Sequence, residues 1–567
     1  MREFEKGVLD VLLSGSDIIV KTLIEQGCDT VFGYPGGQIL NVYDSIYRYQ
    51  DEINHVLTAH EQGATHAADG YARVTGKVGV VISTSGPGAT NLVTGIATAY
   101  LDSIPMVAIC GNVPTTQIGT DSFQEIDITG VTLPITKHNY FVGSVEDLAD
   151  TIREAFKLAK SGRPGPVLID VPKDVQINKC EYEAEAPVEK DEPFAAKDVR
   201  IVEAAEIINS AKRPFIYFGG GVITADAQEE MLALSEKIDA PIGCSLMGLS
   251  GVPTDHPRFL GMQGMHGHFA SSMSMHNADV ILSLGVRFND RVTGNRSKFA
   301  TGAKIVHIDV DGSELNKTVN SVCGLRGDVK LTLQKLLPLL DEDKKEEWMK
   351  KVDDFRKEEE TYLDNREGLT PRRAILTLNK HLGENTAVCT DVGQHQMWSA
   401  QSLNFKTSRR FASSGGLGTM GYGFGAAIGA AYGTKERSVL ITGDGSFGMN
   451  LNELATAVRY NVPVVVIIMN NGVLGMVRQW QTLFYDKHYS NSVLQRKTDF
   501  AAFARSFGAD GEAVTTPEEL DEALAKAFKT EGPYIIDCKI DKDEFVLPML
   551  PPGGSMDDII TKLEVEL

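Results

Sequence analysis

Arg437-Ser-Val-Leu-Ile-Thr-Gly443-Asp444-Gly445-Ser446-Phe447, followed beyond a helical segment at 452–460 by Pro463-Val-Val-Val-Ile-Ile-Met-Asn470-Asn471-Gly472, decides the fold. Each half is a short β-branched run without polar alternation, the pattern of a strand buried on both faces in a parallel sheet covered by helices. Each half also ends in small or polar residues, and in doubly wound sheets ligands sit at the carboxyl ends of the strands. Gly443 and Gly445 let backbone amides approach a phosphate, while Asp444 supplies one carboxylate. Asn471 adds an amide oxygen at the end of the second strand. A hard octahedral cation shared with phosphate oxygens, magnesium above all, suits that pair of ligands. Gly-Asp-Gly alone is a common turn and Asn-Asn-Gly a common loop, so their order and spacing carry the reading.

Similar apolar runs recur outward from this stretch, at Val78–Ile82, Met106–Cys110, Val167–Val171, Phe215–Phe218, Val280–Leu284, Ile305–Val310 and Ile535–Cys538. Helical periodicity fills the spaces between them, as at Ser16–Gln26, Glu146–Lys160, Asp198–Ala211 and Pro517–Thr530. The fold class is therefore α/β. Its 567 residues exceed what one core usually serves. Two stretches mark boundaries: the acidic, proline-containing 181–197, expected to be a solvated linker, and the densely charged 341–360, expected to be a solvated connecting helix. Three doubly wound parallel-sheet domains are expected, near 1–180, 198–340 and 368–540, with a C-terminal tail over 541–567.

A formal net charge of −21 argues against nucleic-acid or anionic-membrane partners, which clustered Lys and Arg would hold. The seven cysteines show no C-x-x-C spacing, which disfavours a zinc site and a redox pair and fits a reducing compartment. The N-terminus does not read as a signal peptide, and no apolar run approaches the roughly 18 residues of a membrane span. The cytoplasm is the expected location.

His60-Glu61-Gln62-Gly63-Ala64-Thr-His66-Ala67-Ala68-Asp69-Gly70-Tyr71-Ala72-Arg73 has the small residues of a helix packed closely on another surface. A lone Glu at a helix start is usually a cap or dipole partner. This run and the Gly-Asp-Gly…Asn-Asn motif together resemble the thiamine-diphosphate enzymes. In that family a glutamate hydrogen-bonds a ring nitrogen of the cofactor's aminopyrimidine, so the resemblance makes Glu61 the activating carboxylate. It makes Asp444, Asn471 and the backbone carbonyl of Val473 the Mg²⁺ ligands. Because Glu61 and Asp444 lie at opposite ends of the chain, and the family joins such halves from different subunits, the resemblance implies a homodimer or homotetramer with the cofactor in the interface.

The match narrows further through Val31-Phe-Gly-Tyr-Pro-Gly36-Gly37, Gly119-Thr-Asp-Ser-Phe123-Gln124-Glu125, Gly264-Met265-His266-Gly267, Val286-Arg-Phe-Asn-Asp290-Arg291 and Gly475-Met476-Val-Arg478-Gln479-Trp480. These are similar to the acetohydroxyacid (acetolactate) synthases. By that resemblance Gly37 lets backbone amides reach a developing oxyanion, and Gln124 and Lys173 join Glu61 in the catalytic set. Phe123, Met265, Asp290, Arg291 and Trp480 would form the substrate set: Arg291 grips the carboxylate of the second keto acid, and Trp480 favours an ethyl over a methyl group. The thiamine-diphosphate positions are completed by Val392, Gly393, Gln394 and His395, by Gly418 and Met420, the latter propping the cofactor into a bent form, and by Gly443, Gly445, Ser446 and Met476. The middle domain resembles the FAD-binding part of the family, with Arg163, His266 and Asp309 at matching positions and Gly219, Gly220 and Gly221 as a phosphate-facing turn.

The implied reaction decarboxylates pyruvate on thiamine diphosphate and transfers the hydroxyethyl unit to pyruvate or 2-ketobutyrate, giving 2-acetolactate or 2-aceto-2-hydroxybutyrate at the first common step of branched-chain amino acid biosynthesis. A small regulatory subunit accompanies the family. Three positions depart from its pattern: Gln38 and Gln263 stand where smaller or apolar residues are expected, and Gly425 where proline is expected. A flavin-free catabolic synthase and a non-catalytic cofactor-binding regulator are the rival readings. Arg291 and Trp480 speak against the first, and Glu61, Asp444 and Asn471 together against the second.

Overall fold

The computed structural model describes residues 11–562. Three six-stranded parallel sheets follow one another along the chain, and a short antiparallel pair, Val11–Ser14 with Lys179–Tyr182, closes the first unit. Val464–Asn470 illustrates why the runs are continuously apolar. Val464, Val466 and Ile468 enter one core cluster while Val465, Ile467 and Met469 enter another, so both faces are buried. The expected Val280–Leu284 strand is found with those bounds; Met106–Asn112 and Pro166–Pro172 extend the expected runs by one or two residues at an end, and Gly79–Ser83 and Lys304–Asp309 are shifted by one residue from theirs.

Strand order separates the middle unit from its neighbours. Across the N-terminal sheet the strands lie as Asn54–Leu57, Thr30–Gly33, Gly79–Ser83, Met106–Asn112, Pro166–Pro172 and His138–Phe141. In chain order this is second, first, third, fourth, sixth, fifth. The C-terminal sheet repeats it with Phe411–Ser413, Ala387–Thr390, Ser438–Gly443, Val464–Asn470, Tyr534–Lys539 and Asp510–Val514. The middle sheet runs Phe259–Met262, Ile242–Cys244, Pro214–Phe218, Val280–Leu284, Lys304–Asp309 and Cys323–Arg326. That third, second, first, fourth, fifth, sixth order is the dinucleotide-binding arrangement, with its crevice where Pro214–Phe218 meets Val280–Leu284.

The charged segment forms a helix, Glu346–Glu360, and Trp348, Val352 and Phe355 bury one stripe of it against the middle unit. From Glu183 to Lys197 the chain has no regular structure, yet it is fastened: Arg153 donates to the Glu183 carbonyl (2.7 Å) and Asp328 N–H to that of Phe194 (2.8 Å). The helical segment at 452–460 is a 3₁₀ turn, Leu451–Glu453, continuing as the helix Leu454–Arg459. Among the described residues no helix is long and apolar enough to cross a membrane.

The N- and C-terminal units meet through two helices, Glu61–Thr75 and Tyr422–Thr434. A Cβ on Gly425 would lie 2.6 Å from the Gly63 carbonyl oxygen, one on Gly429 1.8 Å from that of Ala67, and one on Gly433 3.4 Å from that of Tyr71. The contacts advance by four residues on both helices, so the helices run in the same direction with their backbones in contact. Gly425 stands where proline was expected because this approach leaves no room for a ring. Gly429→Ala is expected to lower stability by about 1–3 kcal/mol through forced separation of the helices; an unchanged thermal unfolding midpoint would contradict the contact.

Candidate active site

Two half-sites form at the points where strand order reverses in the N- and C-terminal sheets. The N-terminal one gathers around the ends of Thr30–Gly33 and Gly79–Ser83. Thr84 Oγ1 accepts from Gln38 N–H (3.2 Å), Lys173 Nζ donates to the Gly37 carbonyl (3.2 Å), and Gln176 Nε2 donates to that of Gln38 (2.8 Å). No atom lies within 4 Å of where a Gly37 Cβ would be, so its backbone is open to a ligand. Glu61 starts its helix after His60, whose ring caps the Gln62 N–H (3.0 Å). Asn91 Nδ2 donates to Glu61 Oε2 (2.9 Å), and Oε1 has no partner among the described residues. Gln124, in left-handed backbone (φ 64°), leans against Gly86. Phe123 is 84% exposed. Gly37, Glu61, Gln124 and Lys173 thus share one region, with Phe123 beside it on the surface.

The C-terminal half-site gathers around Ala387–Thr390, Ser438–Gly443 and Val464–Asn470. Gly443 pairs in register with Met469, which brings the end of that strand, and so Asp444, beside Asn470-Asn471. Burial pushes the Asp444 carboxyl up to about 6. Asn471 Oδ1 accepts from Val473 N–H (3.2 Å), and its second lone pair is free for a cation. His395 lies over Gly443, with Nδ1 3.0 Å from where a Cβ would stand. Its Nε2 is buried without a partner, and burial depresses the ring to about 3, so it is neutral. A carboxylate, an amide oxygen and an unpartnered imidazole around a glycine cradle fit a magnesium diphosphate. Ser446 turns inward, its hydroxyl accepting from Gly421 N–H (3.0 Å). Gln394 Nε2 donates to Gln479 Oε1 (2.9 Å) and the Glu544 carbonyl (2.7 Å).

A cavity of about 1510 Å³ runs from this half-site into the middle unit. Val392, Gly393, Gly418, Met420, Met476 and Trp480 line it from the C-terminal unit; Met265, His266, Asp290 and Arg291 line it from the middle. Gly418 adopts φ +72°, the left-handed conformation that favours glycine. The Arg291 guanidinium lies 6.0 Å from the Trp480 ring centroid, and its Nη1 is 3.8 Å from Met265 Sδ. Arg163, Gly219, Gly220, Gly221 and Asp309 line the far end, at the crevice of the middle sheet. A Cβ on Gly219 or Gly221 would stand 2.6 Å from Gly285 backbone, so these two glycines serve close packing, whereas Gly220 faces open space toward Met247. His266 Nε2 is buried and unpartnered, and burial raises the Asp309 carboxyl to about 6. A mixed polar crevice of this topology fits a dinucleotide. Gln263 donates inward, to the Ser271 carbonyl (2.6 Å) and Oγ (2.8 Å), which absorbs that departure without an orphaned donor. Gln38 keeps a buried, unpartnered Oε1.

Gly37, Glu61, Phe123, Gln124 and Lys173 do not line this cavity. Three features escaped the sequence reading. Asp391, at a strand exit, accepts from Gly423 N–H (2.7 Å) and Thr442 Oγ1 (2.7 Å) and so fixes the start of the Tyr422–Thr434 helix; the rule that polar strand exits mark sites pointed to it. The C-terminal tail straps the units together, with Val546 N–H donating to Gln479 Oε1 (2.9 Å) and Leu550 N–H to the Met265 carbonyl (2.7 Å). Glu453 sits beneath the Glu61 helix, accepting from Ala59 N–H (3.1 Å) and Thr456 Oγ1 (2.7 Å), with Oε1 unpartnered.

Three family models match the chain in the same tripartite order: the N-terminal TPP-binding domain of thiamine pyrophosphate enzymes over residues 13–131, the central domain over 201–336 and the C-terminal TPP-binding domain over 391–538. The chain belongs to the thiamine pyrophosphate enzymes. Relatives aligned along nearly its whole length include the probable acetolactate synthase large subunit of Methanocaldococcus jannaschii, 45% identical over 98% of this chain and 96% of the relative. The acetolactate synthase isozyme 3 large subunit of Escherichia coli is 42% identical over 97% and 98%, and the large subunit from Corynebacterium glutamicum 44% over 96% and 90%. Within the thiamine pyrophosphate enzymes the chain therefore belongs to the acetolactate synthase large-subunit family.

Burial pushes the Glu453 carboxyl up from 4.5 to about 7, and the nearby charge of Glu61 adds to the rise. The unfolded chain ionises this group first, so stability tied to it is full below about 4.5 and is lost as pH rises to about 7. Glu453→Gln removes that loss. Its thermal midpoint relative to the unsubstituted protein is expected to climb between those pH values and level off above; a pH-independent difference would contradict the burial argument.

Proposed function

We propose that this chain is the catalytic subunit of an acetolactate synthase that joins the two-carbon fragment of pyruvate to a second pyruvate or to 2-ketobutyrate. The observation that carries the reading is the convergence of Arg291, Trp480 and Met265 in the cavity that Gly418 and Met420 also line. Bound thiamine diphosphate supplies the carbon nucleophile and the electron sink for decarboxylation. Everything else falls to the protein.

Glu61 is held through Oε2 by Asn91, which leaves Oε1 as the atom that would exchange a proton with the pyrimidine of a bound cofactor. Asp444, Asn471 and the Val473 carbonyl hold Mg²⁺, and Gly443, Gly445, Ser446 and His395 form the diphosphate cradle, with Val392, Gly393, Gln394 and Met476 around it. Gly418 and Met420 would receive the cofactor between its two ends. Gly37 exposes backbone to the developing oxyanion, and Lys173, bonded to its carbonyl, and Gln124 flank it. Arg291 receives the acceptor's carboxylate; Asp290, Phe123, Met265 and Trp480 bound the space for its alkyl group. Arg163, Gly219, Gly220, Gly221, His266 and Asp309 would hold FAD in the middle crevice.

Glu61 and the diphosphate cradle lie in different half-sites, and Phe123 is exposed, so the complete centre forms between two copies in a homodimer or homotetramer. The relatives' designation as large subunits supports a smaller partner chain with a regulatory role.

Glu61→Gln is expected to cut acetolactate formation at least about 10²-fold with cofactor still bound; near-normal turnover would overturn the assignment. Trp480→Leu is expected to reduce the preference for 2-ketobutyrate over pyruvate by roughly tenfold, within the range one methylene commands. An unchanged product ratio in a competition assay would remove Trp480 from specificity.

A further inference from the structure

The loop between Phe411–Ser413 and the Tyr422–Thr434 helix carries Gly418 and Met420, yet what fixes it belongs to the other end of the chain. The N-terminal helix Val93–Asp102 ends against it. Asp102, its side chain wholly buried, accepts from Gly415 N–H through Oδ2 (3.0 Å) and from Gly416 N–H through Oδ1 (2.7 Å). Arg73 donates to the same Oδ2 (2.9 Å) and to Asp69 (2.6 Å), so the carboxylate is buried as a paired charge. One turn back along the helix, Thr98 Oγ1 lies 2.7 Å from Thr419 Oγ1. Thr98 gives its own proton to the Thr94 carbonyl (2.9 Å), which leaves Thr419 as the donor between them. Thr419 N–H in turn donates to Ser414 Oγ (3.0 Å), drawing the two ends of the loop together.

The two attachments bracket Gly418 and stop one residue short of Met420. Charge-assisted bonds to backbone N–H groups are roughly twice as strong as neutral ones, and the Asp102 carboxylate that accepts them is itself out of water. The Gly416 backbone is also pressed against the helix, since a Cβ there would meet Leu101 Cβ at 2.8 Å. The same helix end is held from the middle unit, where Arg287 Nη2 donates to the Leu101 carbonyl (2.5 Å), and from within its own unit, where Arg163 Nε donates to Ser103 Oγ (2.8 Å).

We infer that Asp102 and Thr98 are positioning residues: they clamp the Ser414–Met420 loop in the shape that receives thiamine diphosphate, acting through the loop's backbone and Thr419. The inference rests on the reading of Gly418 and Met420 as cofactor contacts. Supporting groups of this kind typically change ligand affinity by about 10–100-fold when lost from a metal site, and the clamp is expected to act on a similar scale.

Thr98→Val, which keeps volume and charge, is the first variant; Thr98→Ser is the rescue and Asp102→Asn the second break. Hydrogen exchange of the peptide spanning 411–421 is followed in the cofactor-free protein, and thiamine diphosphate with Mg²⁺ is titrated calorimetrically. Faster exchange in that peptide, a Kd raised about tenfold in Thr98→Val and restored in Thr98→Ser, and an unchanged KM for pyruvate at saturating cofactor are expected. Wild-type exchange or a wild-type Kd in folded Thr98→Val would overturn the clamp, whether or not Asp102→Asn folds. Failure of the unsubstituted protein to bind thiamine diphosphate would instead overturn the functional reading beneath it.

Discussion

The backbone contact between the Glu61–Thr75 and Tyr422–Thr434 helices is the constraint on which the rest of the structure depends. Glycines at 63, 70, 425, 429 and 433 allow it, and each would place a Cβ within 3 Å of the opposite helix or its supports. Because the helices run the same way, their N-termini emerge together, one bearing Glu61 and the other following the Gly418–Met420 loop. Buried polar groups then fix the pair: Tyr422 OH donates to Asp69 (2.6 Å), Asp69 pairs with Arg73, and Arg73 pairs with Asp102. Such a network is costly unless its charges are paired and its acceptors filled; here one guanidinium serves two carboxylates of the N-terminal unit, and Tyr422 OH with the Gly415 and Gly416 N–H groups of the C-terminal unit supplies the remaining donors.

The repeated strand order of the outer sheets gives each a crevice at the same topological position, and each crevice holds half of the chemistry. The N-terminal crevice offers a carboxylate and open backbone, the C-terminal one a carboxyl beside an amide oxygen and a glycine cradle. The middle sheet differs in order and presents its crevice to the same cavity from the other side. One cavity therefore joins Arg291 and Trp480 to the crevice of the middle sheet beyond them.

Much of this was legible in the sequence. The apolar runs announced the strands because parallel sheets covered on both faces leave no alternation to confuse them, and Asp444 and Asn471 were legible because strand ends are where such sheets hold ligands. The proposed substrate set, scattered from Phe123 to Trp480, rests on family resemblance alone, since no local pattern joins its residues. Long-range partners were hidden. Glu453 lies in an unremarkable amphipathic stretch, and the tail's bonds to Gln479 are backbone bonds that no side-chain pattern encodes. Asp102 left one trace, a carboxylate at the C-terminal end of a helix, where the macrodipole disfavours negative charge and a compensating partner is required.

The central claim is that a complete centre needs the N-terminal half-site of one chain and the C-terminal half-site of another. Co-expression of a Glu61→Gln chain with an Asp444→Asn chain, followed by purification of the mixed oligomer and assay of acetolactate formation, tests it most directly. Centres built between chains leave one intact site in each mixed dimer, so activity absent from either variant alone should appear in the mixture. Centres built within one chain would all carry a defect, and a mixture as inactive as its parents would contradict the account.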